Sequence, residues 1–280
     1  MHILALRSYG DYVILLNSIK HADVKESVKI VVSSHLKPLH EALCPCFSKN
    51  IEFIFKDFGV KNGLMGFFTN RYFFSLNSIF EILKLSNYIK SLKINEEKIY
   101  LEHSARKILL NLFLGKKIDH LYKNGNVYDA LGRFFDLESN DKTFQFSEVH
   151  SKSKVLIFPD SRKKHKVINE ATMAQLSSDL TRLKVDFKIA KFGKTKNGNN
   201  HLSNQIVYSD FKELVVLIKD CDFVISSDSV PVHLAEFLEK QHIIIYNDNV
   251  NYNWLTPFAK KHHMYTTFKE TSIFINKYFN

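Results

Sequence analysis

The sequence predicts an α/β protein built as two successive parallel-sheet halves, and three observations carry that reading. Short runs rich in β-branched and aromatic residues recur along the 280-residue chain. Helical-length segments separate many of them, and the pattern is broken once by a polar stretch and then repeats. In the first half the runs are residues 3–6, 28–32, 51–55, 99–101 and 118–121; in the second they are 155–158, 187–190, 223–226 and 243–246. After the first run, Val13, Leu16 and Ile19 share one helical face. After 155–158 comes a basic loop and then an amphipathic helix reaching Leu180, and residues 270–279 read as a final helix. The break, residues 138–154, is rich in Ser, Asp, Lys and Asn, which places a domain boundary near Ser151 and divides the chain into 1–150 and 151–280.

The most informative stretch is Asp222-Phe-Val-Ile-Ser-Ser-Asp228-Ser229-Val230-Pro231-Val232-His233-Leu234-Ala235. An apolar strand stops at an acid and a hydroxyl and restarts as a helix. The first-turn N–H groups of such a helix and its dipole make an anion site beyond the strand end, whereas an Asp/Ser cap alone is the simpler alternative. Asp-Ser-x-Pro-x-His-Leu-Ala, a second apolar strand at 242–246 and the Trp254-x-x-Pro257 pair together resemble glycosyltransferase family nine, the bacterial heptosyltransferase-like enzymes. That family usually has Gly where this chain has Val230, at the point of close approach to the donor diphosphate.

The resemblance implies a GT-B fold: two Rossmann-like domains facing a central cleft, the first holding acceptor and the second the nucleotide-sugar donor, with the terminal helix often returning to the first domain. It also implies an inverting, metal-independent transfer of a sugar, heptose being the best-known case, to a bacterial surface glycan or its lipid-linked precursor. The acceptor classes are lipopolysaccharide core, O-antigen and capsule precursor.

Composition fits such an enzyme. With 45% hydrophobic residues the chain can bury a sizeable core. No run approaches the roughly 18 apolar residues of a membrane span, and the N-terminus lacks a signal-peptide core, so the cytoplasm is expected. Three cysteines argue against a disulfide framework. Cys44 and Cys46 form a Cys-Pro-Cys with no further ligands nearby, so no metal and no cofactor are assigned. The net charge of +10 is spread over both halves and suits an anionic partner: a nucleotide-sugar, a phosphorylated glycolipid, or peripheral contact with the anionic face of the inner membrane. No nucleic-acid-binding motif is present, and no nucleic-acid partner is expected.

Candidate chemistry falls in four places. Gly10-Asp11 follows the first strand, where α/β sheets bind ligands. The family begins similarly with a Gly-Asp pair whose acid is the proposed catalytic base, which implies that Asp11 deprotonates the acceptor hydroxyl and that Gly10 lies on the acceptor side. A helix cap is the alternative for Asp11. In Pro159-Asp-Ser161-Arg162-Lys163-Lys164-His165-Lys166, the family's donor-phosphate lysine falls best on Lys166, with Ser161 and Arg162 beside it and Lys164 as a rival. A solvated charge run is the simpler alternative there.

Asp228, Ser229, Val230 and Pro231 complete the donor set, whereas His233 reads as a packed, hydrogen-bonded residue outside the chemistry. The loop 247–254 resembles a calcium loop for three residues but lacks its Gly and terminal Glu, and walls the nucleotide pocket by family analogy. Residues 193–200 lack the family's nucleotide-recognising acid. On the acceptor side, Glu102-His103-Ser-Ala-Arg106 nominates His103 and Arg106. The aromatic run 67–74, followed by Phe80, could dock on a lipid-linked acceptor or pack in a core. Two other readings fit less well: a nucleotide-sugar epimerase or hydrolase of the same build, and a non-catalytic glycan- or nucleotide-binding protein.

Overall fold

The computed structural model describes residues 1–6, 8–43, 47–57, 76–91, 99–101, 118–121, 125–137, 144–147, 153–193 and 204–279. The chain divides into two compact units, Met1–Ser139 and Asn140–Asn280.

The first unit contains the strands β1 (His2–Ala5), β2 (Val28–Ser33), β3 (Ile51–Lys56), β4 (Ile99–Leu101) and β5 (Ile118–His120). They form one parallel sheet in the order β3-β2-β1-β4-β5. Ile3, Leu4, Ala5, Ile30, Val31 and Val32 are buried on consecutive positions, as both faces of a covered parallel sheet require. Its described helices are α1 (Tyr9–Lys20), α2 (Lys37–Leu43), α3 (Leu76–Ser91) and α4 (Val127–Phe134). Helix α1 is buried from Asp11 to Ile19 and packs against α4.

The second unit carries β6 (Lys154–Phe158), α5 (Glu170–Arg182), β7 (Asp186–Phe192), β8 (Gln205–Tyr208), α6 (Phe211–Asp220), β9 (Phe223–Ser227), α7 (Val230–Phe237), β10 (Gln241–Tyr246), α8 (Pro257–His262), β11 (Tyr265–Thr267) and α9 (Thr271–Tyr278). Its six strands are parallel, in the order β11-β10-β9-β6-β7-β8. Ile157, Leu180, Phe223, Ile225, Ile244 and Phe258 are fully or almost fully buried in its core.

Both sheets are α/β with parallel strands, as the apolar runs predict. Strands β8 and β11 were not foreseen. Both are edge strands covered on one side only, so Gln-Ile-Val-Tyr and Tyr-Thr-Thr need no continuous apolar run. Within the break between the halves, residues 144–147 make contacts that its composition does not suggest. Phe144 stacks on Phe258 with ring centroids 4.4 Å apart, Phe146 meets Tyr278 edge-on, and the Ser147 amide donates to Gln241 Oε1 at 3.1 Å. Residues 144–147 therefore belong to the second unit. So does the terminal helix, whose Ile275 lies with Phe279 in that unit's core and which packs on α5.

The strand orders locate the ligand-binding edges. In the first sheet the chain winds outward from β1 through β2 to β3 and then restarts on the other side of β1 with β4. In the second it winds from β6 through β7 to β8 and restarts beside β6 with β9. Neighbouring strands whose following connections part in opposite directions leave a crevice at their carboxyl ends. Asp11 follows β1, Lys166 follows β6, and Asp228 follows β9.

Candidate donor and acceptor sites

In the second unit β6 and β9 run in register, with Phe158 opposite Ser226, so the loops that follow them leave the sheet side by side. The loop after β6 is tied at both ends. The Ile168 amide donates to the Pro159 carbonyl at 2.9 Å, Ile168 is buried, and Asn169 caps α5 by accepting from the Thr172 amide at 2.8 Å. Between these ties the chain makes a 3-10 turn over Lys164–Lys166. The turn leaves Lys164 exposed and brings Lys166 to Asp228. Lys166 Nζ donates to Asp228 Oδ2 at 2.5 Å and to its main-chain carbonyl at 3.2 Å. Ser161 accepts from the Lys163 amide at 3.4 Å, and Arg162 lies exposed.

Asp228 is 5% exposed. Its Oδ1 faces His233 Nε2 at 3.6 Å. Burial alone would raise its pKa, but the hydrogen bonds and charges of His233 and Lys166 outweigh that and hold the carboxyl below its ordinary range. The same buried charge adds to the desolvation that raises the Tyr246 phenol. His233, read from sequence as a packed residue, is packed, yet it also faces the acid at the head of its own helix.

Ser229 is the N-cap of α7, but its hydroxyl makes no cap bond and lies 3.1 Å from the Ser226 hydroxyl instead. Pro231 contributes no N–H, so the first-turn N–H groups expected to face an anion lack one member between Val230 and Val232. Val230 is the first helical residue and is absent from the positive-φ positions. Glycine's conformational freedom is therefore not required there, and the departure from the family pattern is one of bulk alone.

Behind α7, a buried network joins it to β10 and α8. His242 Nδ1 lies 2.8 Å from the Lys240 carbonyl, which cannot donate, so the proton is on Nδ1; Nε2 then accepts from the Thr256 hydroxyl at 2.6 Å. Thr256 caps α8, and Glu236 accepts from the Phe258 amide at 3.2 Å. Burial drives His242 down to about 3, against the Lys240 carbonyl that favours its charged form. A histidine held neutral while the unfolded chain titrates near 6.5 stabilises the fold above that pH and ceases to as pH falls through 6.5 toward 3. Acidification from pH 7 to 5 is thus expected to cost about 2 kcal/mol through His242 alone. Thermal melts of wild type and His242→Gln at both pH values check this, and an equal acid sensitivity in the two proteins would contradict it.

In the first unit, Ser8 is the N-cap of α1 and Asp11 its reciprocal partner. The Ser8 hydroxyl donates to Asp11 Oδ2 at 2.6 Å, the Ser8 amide donates to the same oxygen at 3.4 Å, and the Asp11 amide donates to Ser8 Oγ at 3.3 Å. Asp11 is thus a capping-box residue as well as an acid at the carboxyl edge of β1, with Gly10 beside it in the first turn. The ring of Tyr9 meets His35 edge-on, and His35 Nδ1 lies 2.8 Å from the Ser33 hydroxyl. Sequence reasoning passed over Ser33 and His35, although a Ser-Ser-His directly after an apolar strand was a readable signal. His103, Arg106, Cys44, Cys46 and residues 67–74 and 194–200 lie outside the described residues. Phe80, on α3, is 63% exposed. No helix among the described residues is long and apolar enough to cross a membrane.

These two sheets, with polar side chains gathered at their switch points, are the building blocks of a GT-B glycosyltransferase. The chain belongs to glycosyltransferase family 9 (heptosyltransferase): residues 123–271 match its family model. Solved structures agree in fold at low identity. E. coli heptosyltransferase WaaC with ADP is 13% identical over 99% of this chain and 97% of that one, with a TM-score of 0.57. E. coli ADP-heptose lps heptosyltransferase II is also 13% identical, over 100% and 98%, at 0.58. The family 9 glycosyltransferase from Veillonella parvula DSM 2008 is 13% identical over 99% and 88%, at 0.59. No curated protein matches the chain.

Proposed function

We propose that this protein is an inverting glycosyltransferase that moves a sugar from a nucleotide diphosphate carrier to a hydroxyl of a bacterial surface glycan or its lipid-linked precursor. The observation that carries the reading is the Lys166–Asp228 pair at the switch point of the second sheet, within the part of the chain that matches family 9. The Lys166 side chain there is 24% exposed and its ammonium stands beside the head of α7, where an incoming diphosphate meets positive potential from both. Ser161, Arg162, Ser229, Val230 and Pro231 line the same two loops and are assigned to the donor. The ADP carried by WaaC in its solved structure makes ADP the first nucleotide to try, and an ADP-linked heptose the first donor.

In the transfer, Asp11 takes the proton from the acceptor hydroxyl as that oxygen attacks the anomeric carbon. The carbon–oxygen bond to the diphosphate breaks on the opposite face, which inverts the configuration. The leaving diphosphate gains negative charge, and Lys166 with the α7 amides stabilises it without requiring a metal. Gly10, His103 and Arg106 are assigned to the acceptor. The enzyme is placed in the cytoplasm, with its surplus of positive charge suited to the anionic inner-membrane face.

Calorimetric titration of wild type and Lys166→Ala with ADP, GDP, UDP and CMP, without added metal, tests the donor site. Saturable binding of one nucleotide, weakened at least tenfold by the substitution, is expected, about the worth of a hydrogen bond to a charged group. Failure of all four to bind wild type would overturn the reading.

A further inference from the structure

We propose that the outward face of α3 is the surface by which the first unit docks on a membrane bearing anionic lipid headgroups. The inference rests on the reading above that positive charge meets the inner-membrane face, narrows it to one helix, and is independent of the donor site.

Helix α3, Leu76–Ser91, is two-faced. Leu85, Ser86 and Ile89 are buried and anchor it on the unit. Phe80, Leu83, Lys84 and Asn87, spaced i, i+3, i+4 and i+7, share the opposite face and are exposed, with Lys90 and Ser91 flanking them. Phe80 is 63% exposed and Leu83 39%. A single exposed apolar side chain is ordinary, whereas two that adjoin on one helix face form a patch that points to a partner. An aromatic ring and a leucine set among lysines is the composition of helices that lie in the plane of a lipid interface.

The charge around the pair selects the occupant. Lys84 and Lys90 are the exposed charged side chains of α3 among the described residues. On β3, Lys56 holds its ammonium 5.1 Å from the Tyr88 ring centroid, which carries the positive rim from the helix to the end of that strand. Glu52, on the same strand, is offset by Lys29 at 3.7 Å. An anionic lipid surface attracts each of these lysines and takes Phe80 and Leu83 below the headgroups, while the lysine stems lie along the apolar boundary. A second copy seated on the same face would set lysines against lysines, so charge disfavours self-association there. The unit that carries α3 also carries Asp11, so docking holds the acceptor side at the surface where a lipid-linked acceptor lies.

Vesicle co-sedimentation of the full chain tests this, with phosphatidylcholine alone and with equal parts of phosphatidylcholine and phosphatidylglycerol. Wild type is expected to sediment with the mixed vesicles and not with phosphatidylcholine. Lys84→Gln with Lys90→Gln should weaken that binding about tenfold or more, and so should Phe80→Ser with Leu83→Ser. Two controls change exposed residues of the second unit, Lys212→Gln with Lys219→Gln on α6 and Ile273→Ser on α9, and both should bind as wild type does. Thermal melts show that each variant is folded. Should the serine pair fail to fold, Phe80→Trp replaces it, and its added emission should shift to the blue with the mixed vesicles alone. Unchanged binding by the α3 variants, an equal loss in the α6 control, an absent blue shift or equal sedimentation with phosphatidylcholine would overturn the proposal. So would a wild-type dimer that Phe80→Ser with Leu83→Ser turns into a monomer. Wild type that binds neither vesicle would remove membrane contact altogether, and would leave the donor site to be judged by the nucleotide titration.

Discussion

Asp11→Ala is expected to lower sugar transfer by about 10²- to 10⁴-fold, the usual worth of a general base, while nucleotide affinity stays nearly unchanged. The substitution also removes one side of the Ser8–Asp11 capping box, which costs about 1 kcal/mol of stability. That cost is too small to explain such a loss in a folded protein. Asp11→Asn separates the two duties: its amide oxygen still accepts from Ser8, so α1 keeps its cap, but it cannot take a proton. Turnover in Asp11→Asn should fall nearly as far as in Asp11→Ala, with a melting temperature close to that of wild type. Measured initial rates and melts of both variants decide the matter. Retention of most activity by Asp11→Asn would reduce Asp11 to a cap.

Phe258→Ala should be the most damaging single change to the second unit. Phe258 is fully buried between Phe144, His242 and His262, with centroid distances of 4.4, 5.0 and 4.8 Å. Truncating such a ring typically costs about 3–5 kcal/mol, which lowers the melting temperature by on the order of 10 °C. The double variant with Phe144→Ala should cost less than the sum of the two single changes, because each ring loses its partner in either single variant. Strict additivity in denaturant unfolding would mean that residues 144–147 are not anchored on the second unit.

Much of the fold was legible because its central strands are buried on both faces and are therefore mostly apolar; residues 3–6, 28–32, 223–226 and 243–246 announce themselves in this way. Edge strands such as β11 carry no such demand, and Tyr265-Thr-Thr gave no signal. Within the polar stretch 138–154, the packing of Phe144 and Phe146 was not legible, because composition averaged over their polar neighbours hides two phenylalanines. Lys166 and Asp228 were each legible as candidates, one from its distance to a helix and one from its place after a strand. Their pairing was not, since it depends on β6 and β9 becoming neighbours, a fact of topology that no local pattern contains. The reciprocal bond between Ser8 and Asp11 was open to sequence reasoning, because Ser-x-x-Asp before an apolar run is a form of capping box. His35 went unread because the Ser-Ser-His at the end of β2, though readable as polar residues after an apolar strand, belongs to no recognised motif.

The pairing of β6 with β9 also bears on how the protein comes into being. Lys166 and Asp228 are 62 positions apart, and the strands that bring them together are separated by β7, β8 and two helices. That central pairing requires closure of a long loop, a slow event compared with forming either βα arm. A chain still emerging from the ribosome, complete only through α6, has β6, β7 and β8 and the basic turn, but no acid for the lysine to grip. Capacity to bind a nucleotide should therefore arrive late and all at once during synthesis, as a sign that the unit has finished folding.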